Sequence, residues 1–344
     1  NLVDPWFIRR RGGIRMPKWI KWCLRISIVL LAVGIVLSAI GFWINKGKGF
    51  NIYWKDYRFV YDKDESAISE LDFTELDAFE EINVDIDSAD VEFKQGDDYG
   101  ISYRVEGDAP TYSVENGVLT VNKSQDSIAV VNFNFNFISQ ERSNIITIYY
   151  PAGEDVSFTS INLTNHFGDI NVTGDFEADN LDIVNDSGDV YLTGLSGAMI
   201  VELNFGDLTI EDSTFESLDI DNQSGDCTMD NVEIAGNTSI SNEFGNSEAS
   251  NCSFNEITAN MECGDLDFIN CVYSANVNIE ESFGDVSVEG ECTTDSFGFD
   301  LDASFGDISV QGNSIDQSSY SENSDADIVF TVSNESGDTS VEIA

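Results

Sequence analysis

Residues 181–194 read LDIVNDSGDVYLTG, with a Gly188-Asp189 pair at the centre. Apolar side chains alternate with polar ones before this pair (LDI) and again after it (VYL). Alternation with a period of two is typical of a strand that buries one face. The stretch therefore predicts two short strands joined by a corner at the glycine.

The same phrase recurs through the rest of the chain. Its copies are centred on Gly168, Gly188, Gly206, Gly225, Gly245, Gly264, Gly284, Gly306 and Gly337. The first eight of these glycines lie 18 to 22 residues apart, and the ninth follows a longer gap. Repeats of this length with period-2 alternation are typical of a β-solenoid. We therefore expect an all-β fold in which residues 161–344 form a β-solenoid of about eight or nine coils, each of roughly 20 residues.

A second corner is expected six residues after each of the first eight repeat glycines. The residues at that position are Gly174, Gly194, Asp212, Asn231, Asn251, Asn270, Gly290 and Gly312. All are Gly, Asn or Asp, the residue types that tolerate a left-handed backbone. Each coil should therefore contain two short strands, two corners and a variable return segment.

Two positions next to the repeat glycine predict ladders inside the solenoid. The residue before the first eight glycines is, in turn, Phe167, Ser187, Phe205, Ser224, Phe244, Cys263, Phe283 and Phe305. Two residues earlier, now counting all nine copies, stand Asn165, Asn185, Leu203, Asn222, Asn242, Met261, Glu281, Ala303 and Asn334. We expect the first set to interdigitate as large and small side chains in the core. The asparagines should satisfy a buried turn and hydrogen-bond from coil to coil, and a ligand-binding role for them is the alternative.

Residues 77–160 predict a β-rich capping module at the N-terminal edge of the solenoid. Residues 79–93 read as strand, turn, strand, residues 112–121 as a hairpin with an Asn-Gly turn, and residues 144–151 as another strand. Capping would cover backbone groups that otherwise invite aggregation. Before this module, residues 64–76 read as a short helix or a linker.

Residues 26–44 (ISIVLLAVGIVLSAIGFWI) contain no charged side chain over 19 positions, enough for a helix to cross a bilayer. Seven basic residues precede them: Arg9, Arg10, Arg11, Arg15, Lys18, Lys21 and Arg25. The positive-inside rule then places residues 1–25 in the cytoplasm. We expect a single-pass plasma-membrane protein whose residues 45–76 form a juxtamembrane linker and whose body is extracytoplasmic, at the cell surface. A signal peptide cleaved near Ala39-Ile40-Gly41 is the alternative.

The order of these features resembles a known family. It consists of the anchor, EINVDIDSADVEF (81–93), ENGVLTV (115–121), a strand ending at Pro151 and serial SGD-type coils. This order is similar to that of the bacterial putative-adhesin family, a domain-of-unknown-function group of membrane-anchored envelope proteins, and of LiaG-like proteins of envelope-stress operons. The resemblance covers roughly residues 77–344. It implies a β-solenoid outside the membrane and no catalytic residue; the phenylalanine before glycine in five of the first eight copies is a departure.

An aspartate follows most repeat glycines and suggests either calcium or a structural role. The column comprises Asp169, Asp189, Asp207, Asp226, Asp265, Asp285 and Asp307. Stacked carboxylates could bind calcium, although the nonapeptide calcium signature is absent. The alternative, which we favour, is that each side chain accepts the backbone N–H of its own corner.

Five cysteines follow the membrane segment, where disulfides can form. They are Cys227, Cys252, Cys263, Cys271 and Cys292. Neighbouring coils lie about 4.8 Å apart, near the short end of the Cα separation for a disulfide. We therefore expect free thiols that act as small buried hydrophobic groups, and no metal site, because no histidine is near.

The charge balance restricts the function. The chain carries 63 acidic and 16 basic residues, a net charge of -47, and residues 143–344 contain no Lys or Arg. Nucleic acid and anionic lipid are therefore poor partners. A polysaccharide-active enzyme is the least favoured class, because lyases commonly need a basic residue. We expect a non-enzymatic surface protein without a cofactor, calcium aside, that binds cell-wall or surface glycans or another envelope protein. Adhesion, envelope-stress sensing and a spacer role remain open.

Overall fold

The structure, a computed structural model, describes residues 51–55, 58–62, 68–124, 133–134, 144–153 and 156–344. The predicted cytoplasmic segment and membrane helix, residues 1–44, lie outside these residues and stay a prediction. Within the described part of the chain, no helix is long and apolar enough to cross a membrane.

The described residues form 28 strands, which belong to two separate units. In chain order they are β1 (Asn51–Lys55), β2 (Arg58–Asp62), β3 (Ile68–Glu75), β4 (Glu81–Ile86), β5 (Asp90–Gly96), β6 (Gly100–Glu106), β7 (Thr111–Glu115), β8 (Val118–Lys123), β9 (Phe133–Asn134), β10 (Ile145–Pro151), β11 (Ser157–Asn165), β12 (Ile170–Asn185), β13 (Val190–Leu203), β14 (Leu208–Glu211), β15 (Thr214–Asn222), β16 (Cys227–Asp230), β17 (Glu233–Phe244), β18 (Ser247–Ser250), β19 (Ser253–Cys263), β20 (Leu266–Tyr273), β21 (Val277–Phe283), β22 (Val286–Cys292), β23 (Phe297–Ala303), β24 (Ile308–Val310), β25 (Asn313–Ile315), β26 (Ser319–Glu322), β27 (Ile328–Asn334) and β28 (Thr339–Ile343). The smaller unit contains the antiparallel sheet β2-β1-β9.

The larger unit is the predicted β-solenoid. In every coil one strand precedes the Gly-Asp corner and another follows it, and each pairs in parallel with its equivalent in the next coil. The register has no offset at the corners: Ile183 pairs with Val201, and Val190 pairs with Leu208. The alternating apolar residues of both strands are buried along the axis, which confirms the period-2 interpretation.

The second corners follow the prediction at six of eight positions. There φ is positive at Gly194 (72°), Asp212 (48°), Asn231 (56°), Asn251 (56°), Asn270 (55°) and Gly312 (69°). Gly174 and Gly290 do not adopt a positive φ. Side chains also join neighbouring coils at this corner, since Asn270 Nδ2 donates to Asn251 Oδ1 at 2.8 Å.

The solenoid begins earlier than the repeat motif indicates. Strands β4 and β5 form a complete first coil, because β4 pairs with β11 and β5 pairs with β12, both in parallel. Its corner contains Ala89 in place of the repeat glycine, so the motif is hidden. The first coil therefore comes from the segment that the sequence assigns to the capping module.

Antiparallel and parallel strands cover this first coil. On one side β8 pairs with β4, and β7 pairs with β8 through the expected Asn116-Gly117 turn, whose φ values are 54° and 81°. On the other side β10 pairs with β5, followed by β6 and β3. The helix or linker expected at residues 64–76 is wrong for residues 68–75, which form β3 and extend this sheet.

The last coil in the chain is not the last coil in the stack. Strand β27 lies between β21 and β23, and β28 lies between β22 and β24. The ninth repeat is therefore inserted between the seventh and the eighth. The segment before it folds back as β25 on β24 and β26 on β23, both antiparallel, and covers the C-terminal edge.

Candidate interaction surface at the Gly-Asp corner

The repeat corner requires glycine because neighbouring coils approach each other closely there. Seven repeat glycines have φ between 136° and 148°. A Cβ placed on any of the nine repeat glycines would lie 1.8 to 2.2 Å from a carbonyl oxygen of the adjacent corner. No side chain fits at that distance, so the corners form a narrow edge along the solenoid.

An aspartate column runs along this edge and joins the coils. In nine consecutive pairs, Oδ1 of one residue accepts the backbone N–H of the equivalent residue in the next coil, at 2.8 to 3.0 Å. In stacking order this Asp column contains Asp90, Asp169, Asp189, Asp207, Asp226, Asn246, Asp265, Asp285, Asp338 and Asp307. The expectation that each aspartate caps its own corner is wrong, since the partner is the neighbouring corner. Asn246 shows that an amide performs the same structural role.

The buried asparagines satisfy this corner from inside. Asn185 Nδ2 donates to the carbonyl oxygens of Gly188 at 2.8 Å and Gly168 at 3.2 Å, and thus joins two coils. Asn165 does the same with Gly168 and Ala89. The predicted role in a buried turn is confirmed, but the amides bond to backbone carbonyls rather than to one another. In three other coils the same position holds a buried apolar residue: Leu203, Met261 or Ala303.

Glu281 occupies the asparagine position in one coil and is only 2% exposed. Its Oε1 accepts the backbone N–H of Phe283 at 3.0 Å, whereas its Oε2 is buried without a hydrogen-bond partner. Burial raises the pKa of Glu281 to about 7. The core therefore favours the protonated acid, which resembles the amide it replaces.

The phenylalanines that precede the repeat glycines lie outside, not in the core. Their exposed fractions are 63% at Phe167, 63% at Phe205, 54% at Phe244, 61% at Phe283 and 82% at Phe305. The expectation of interior side chains at this position is therefore wrong. At Asn185 the regular strand ends, and the bend that follows breaks the period-2 phase. The asparagine side chain then fills the inside of the corner, and the residue two positions later, directly before the glycine, turns to solvent.

The exposed phenylalanines occur in every second coil without exception. In stacking order the position reads Phe167, Ser187, Phe205, Ser224, Phe244, Cys263, Phe283, Ser336 and Phe305. Phe244 pairs with Cys263, and Cys263 pairs with Phe283, so the side chains are in register. The inserted last coil supplies Ser336 between two phenylalanines that the chain order would place in neighbouring coils. We call the five phenylalanines the Phe row, and the Phe row with the Asp column the corner surface.

The margins of the corner surface are polar. His166, the single histidine, contacts Asp186, and this hydrogen bond raises the pKa of His166. Asn204 Nδ2 donates to Asp186 Oδ1 at 2.7 Å. Every member of the Asp column from Asp169 onward is solvent-exposed. The Phe row is thus an apolar line beside a line of carboxylates.

Of the five cysteines outside the predicted membrane segment, only Cys263 occupies the Phe row position, between Phe244 and Phe283. Cys227, Cys252 and Cys271 are buried free thiols, Cys263 and Cys292 are half-buried, and burial raises the pKa of Cys227 to about 12. No group of three or more His, Cys, Asp or Glu in the described residues is arranged to hold a metal ion. Calcium binding by the Asp column stays a hypothesis, the less favoured of the two roles considered for these aspartates.

The fold and its repeated corner define a β-solenoid, and a match to a family model identifies the family of β-solenoids to which it belongs. Residues 79–342 match the model of the Toastrack DUF4097 family. The protein belongs to this family, a domain family of unknown function. A search of curated proteins finds no match.

Solved structures with some likeness to the chain include three from bacteria. A putative adhesin of Bacteroides fragilis is 11% identical, with 81% of this chain and 98% of that chain covered and a TM-score of 0.32. A putative cell adhesion protein of Clostridium sporogenes is 11% identical, with coverage of 81% and 100% and a TM-score of 0.20. A putative lipid binding protein of Parabacteroides distasonis is 14% identical, with coverage of 80% and 96% and a TM-score of 0.31.

Proposed function

We propose that this protein is a non-enzymatic, membrane-anchored interaction scaffold of the cell surface, and that the corner surface is its binding site. The observation that carries the proposal is the Phe row. Five large apolar side chains are at least 54% exposed on a chain with a net charge of -47. Exposed apolar patches with a polar rim mark interaction sites in soluble domains.

The regularity of the corner surface supports binding rather than catalysis. A repeated surface presents the same groups in every second coil, which suits an extended partner and gives no single coil a special role. The segment 143–344 also lacks any Lys or Arg that could serve as a base or stabilise an anion.

Site-specific photo-crosslinking in cells tests the binding site. A photoreactive residue replaces Gln223, which is exposed beside Ser224, or Thr258, an exposed residue in the middle of β19. We expect adducts at Gln223 and few at Thr258. The Gln223 adducts should disappear when Phe205 and Phe244 are both changed to Ser, the residue found at the same position in alternate coils. Equal adduct formation at both positions would refute the corner surface as the site.

The location is tested separately with protease. Charge-free residues 26–44 and the basic flank support an anchor with the solenoid outside. Protease added to intact cells or spheroplasts should then digest the body and spare the anchor. Full protection of the body would contradict the proposed topology.

A further inference from the structure

We infer that the corner surface binds an extended polypeptide in the polyproline II conformation that carries a basic residue in every turn. This inference rests on the proposed function and specifies the partner. It follows from three properties of the corner surface: its period, its charge and the chemistry of its aromatic rings.

The period of the Phe row matches a polyproline II helix. Neighbouring coils are about 4.8 Å apart, so successive phenylalanines are about 9.6 Å apart. A polyproline II helix advances about 9.3 Å in each three-residue turn. Two turns of an α-helix advance about 10.8 Å. Side chains of a β-strand repeat on one face at about 6.6–6.8 Å, which does not fit the row.

The length of the row makes this difference decisive. From Phe167 to Phe305 there are eight coil steps, about 38 Å. Four polyproline II turns span about 37 Å, whereas eight α-helical turns span about 43 Å. Over the length of the Phe row, an α-helix therefore falls out of register by half the distance between successive phenylalanines. A polyproline II chain instead keeps one residue per turn in each gap.

The gaps between successive phenylalanines are occupied by small side chains. Each gap has a small side chain at its floor: Ser187, Ser224, Cys263 or Ser336. Proline rings dock between aromatic side chains in known polyproline II recognition, and the preformed conformation reduces the entropic cost of binding. One proline per turn would thus occupy each gap.

The charge beside the row selects basic residues in the partner. The Asp column runs parallel to the Phe row, two residues further along the chain in every coil. Oδ1 of each member that joins two coils is engaged in the ladder, and the residues are exposed. A Lys or Arg at every third position of the partner would meet this column.

The aromatic chemistry disfavours a neutral glycan, the other extended polymer with flat rings. All five residues of the row are phenylalanine, which has no hydroxyl or N–H to hydrogen-bond with sugar hydroxyls. Sugar hydroxyls donate hydrogen bonds to carboxylates, but a neutral glycan carries no positive charge to balance the Asp column, and anionic wall polymers are repelled by it. A polypeptide uses both lines of the corner surface.

Binding of synthetic peptides to the full chain in nanodiscs of neutral lipid tests the inference. The probe is a peptide of repeated Pro-Pro-Lys triplets. The controls are Pro-Pro-Ser triplets, a peptide of the same composition with all lysines at one end, an amphipathic Leu-Lys helix, and oligosaccharides of cellulose and chitin. We expect the Pro-Pro-Lys peptide to bind at least tenfold more tightly than each control, with an affinity that falls as salt rises.

Three sets of variants locate the binding. Phe205→Ser with Phe244→Ser should weaken Pro-Pro-Lys binding at least tenfold. Ser224→Phe fills one gap, so it should also weaken Pro-Pro-Lys binding. Non-specific hydrophobic adsorption would instead become stronger, because this variant adds apolar surface. Asp207→Asn with Asp226→Asn keeps the coil ladder, as Asn246 shows, and should reduce both affinity and salt dependence. Circular dichroism confirms that each variant folds.

The outcomes separate this inference from the proposed function. If Gln223 forms adducts in cells but the Pro-Pro-Lys peptide binds no better than its block-sequence control, the binding site stands and the polyproline II partner is wrong. Oligosaccharide binding that depends on the Phe row would likewise overturn the polypeptide and identify a glycan. Tighter peptide binding by Ser224→Phe would overturn the inference, because it would show that the peptide adsorbs to apolar surface without recognising the spacing of the Phe row.

Discussion

At the scale of single residues, two phenylalanines ten positions apart have opposite roles. Phe244 is 54% exposed on the corner, whereas Phe254 is 1% exposed and its ring centroid lies 5.5 Å from Phe268 and 6.2 Å from Tyr273. Phe254→Ala should therefore destabilise the protein by about 3–5 kcal/mol, through lost burial and a cavity. Phe244→Ala should change stability by no more than about 0.5 kcal/mol, as surface changes usually do. Urea denaturation of both variants measures this difference; equal losses would mean that Phe244 is packed.

The buried acid Glu281 should make stability depend on pH. The pKa of Glu281 is raised by burial from 4.5 to about 7, so the folded state binds its proton more tightly than the unfolded state. The resulting stabilisation is complete below pH 4.5 and is lost as the pH rises through about 7. Glu281→Gln should thus match the native chain below pH 4.5 and be more stable at pH 8, by roughly 1–3 kcal/mol.

The neighbouring exposed acid provides the control for that experiment. Glu280 points away from the core, and Glu280→Gln removes the same charge without removing a buried carboxyl. It should give stability curves parallel to those of the native chain between pH 5 and pH 8. If Glu281→Gln also runs parallel to the native chain, Glu281 does not titrate in the core.

At the scale of elements, the order of coils makes the C-terminal segment an internal part of the stack. Deletion of residues 328–344 removes β27 and β28 and with them both parallel partners of β23 and β24. We expect residues 297–322 to lose protection from limited proteolysis.

The control is a deletion of Asp207–Gly225, one full period of 19 residues. It joins Gly206 to Asp226 and should leave the remaining coils stacked. Retained protection of residues 297–322 after the first deletion would show that the coils close up in chain order.

The elements also show what sequence patterns can and cannot predict. Period-2 alternation and the Gly-Asp phrase predict the strands and both corners, because burial of one face and close approach of backbones are local requirements. The pattern cannot follow a residue through a bend, and so it predicts a core position for the phenylalanines that the structure exposes. It also cannot recognise the first coil, where Ala89 replaces glycine, or the insertion of the last coil, which depends on pairing between distant strands. The strict alternation of phenylalanine appears only once the stacking order is known.

At the scale of the whole molecule, the protein stacks carboxylates in columns with few cations to balance them. Residues 143–344 contribute no Lys or Arg, and the Asp column places like charges about 4.8 Å apart in successive coils. Hydrogen bonds to backbone N–H groups offset part of this repulsion in each coil. The remainder acts along the whole axis and is long-ranged in dilute buffer, where the Debye length is about 30 Å at 0.01 M salt.

Added salt should therefore stabilise the folded chain. Between 0.01 M and 0.15 M sodium chloride the Debye length falls to about 8 Å, so the melting temperature should rise over this range and then level off. Thermal denaturation followed by circular dichroism measures the change, and sucrose at the same osmolality provides a control for general exclusion of solute. A melting temperature that stays constant with salt would show that repulsion between coils is already balanced. Calcium chloride at matched ionic strength forms the last arm: an additional rise beyond that with sodium would support calcium binding to the Asp column, and equal curves would assign the whole effect to screening.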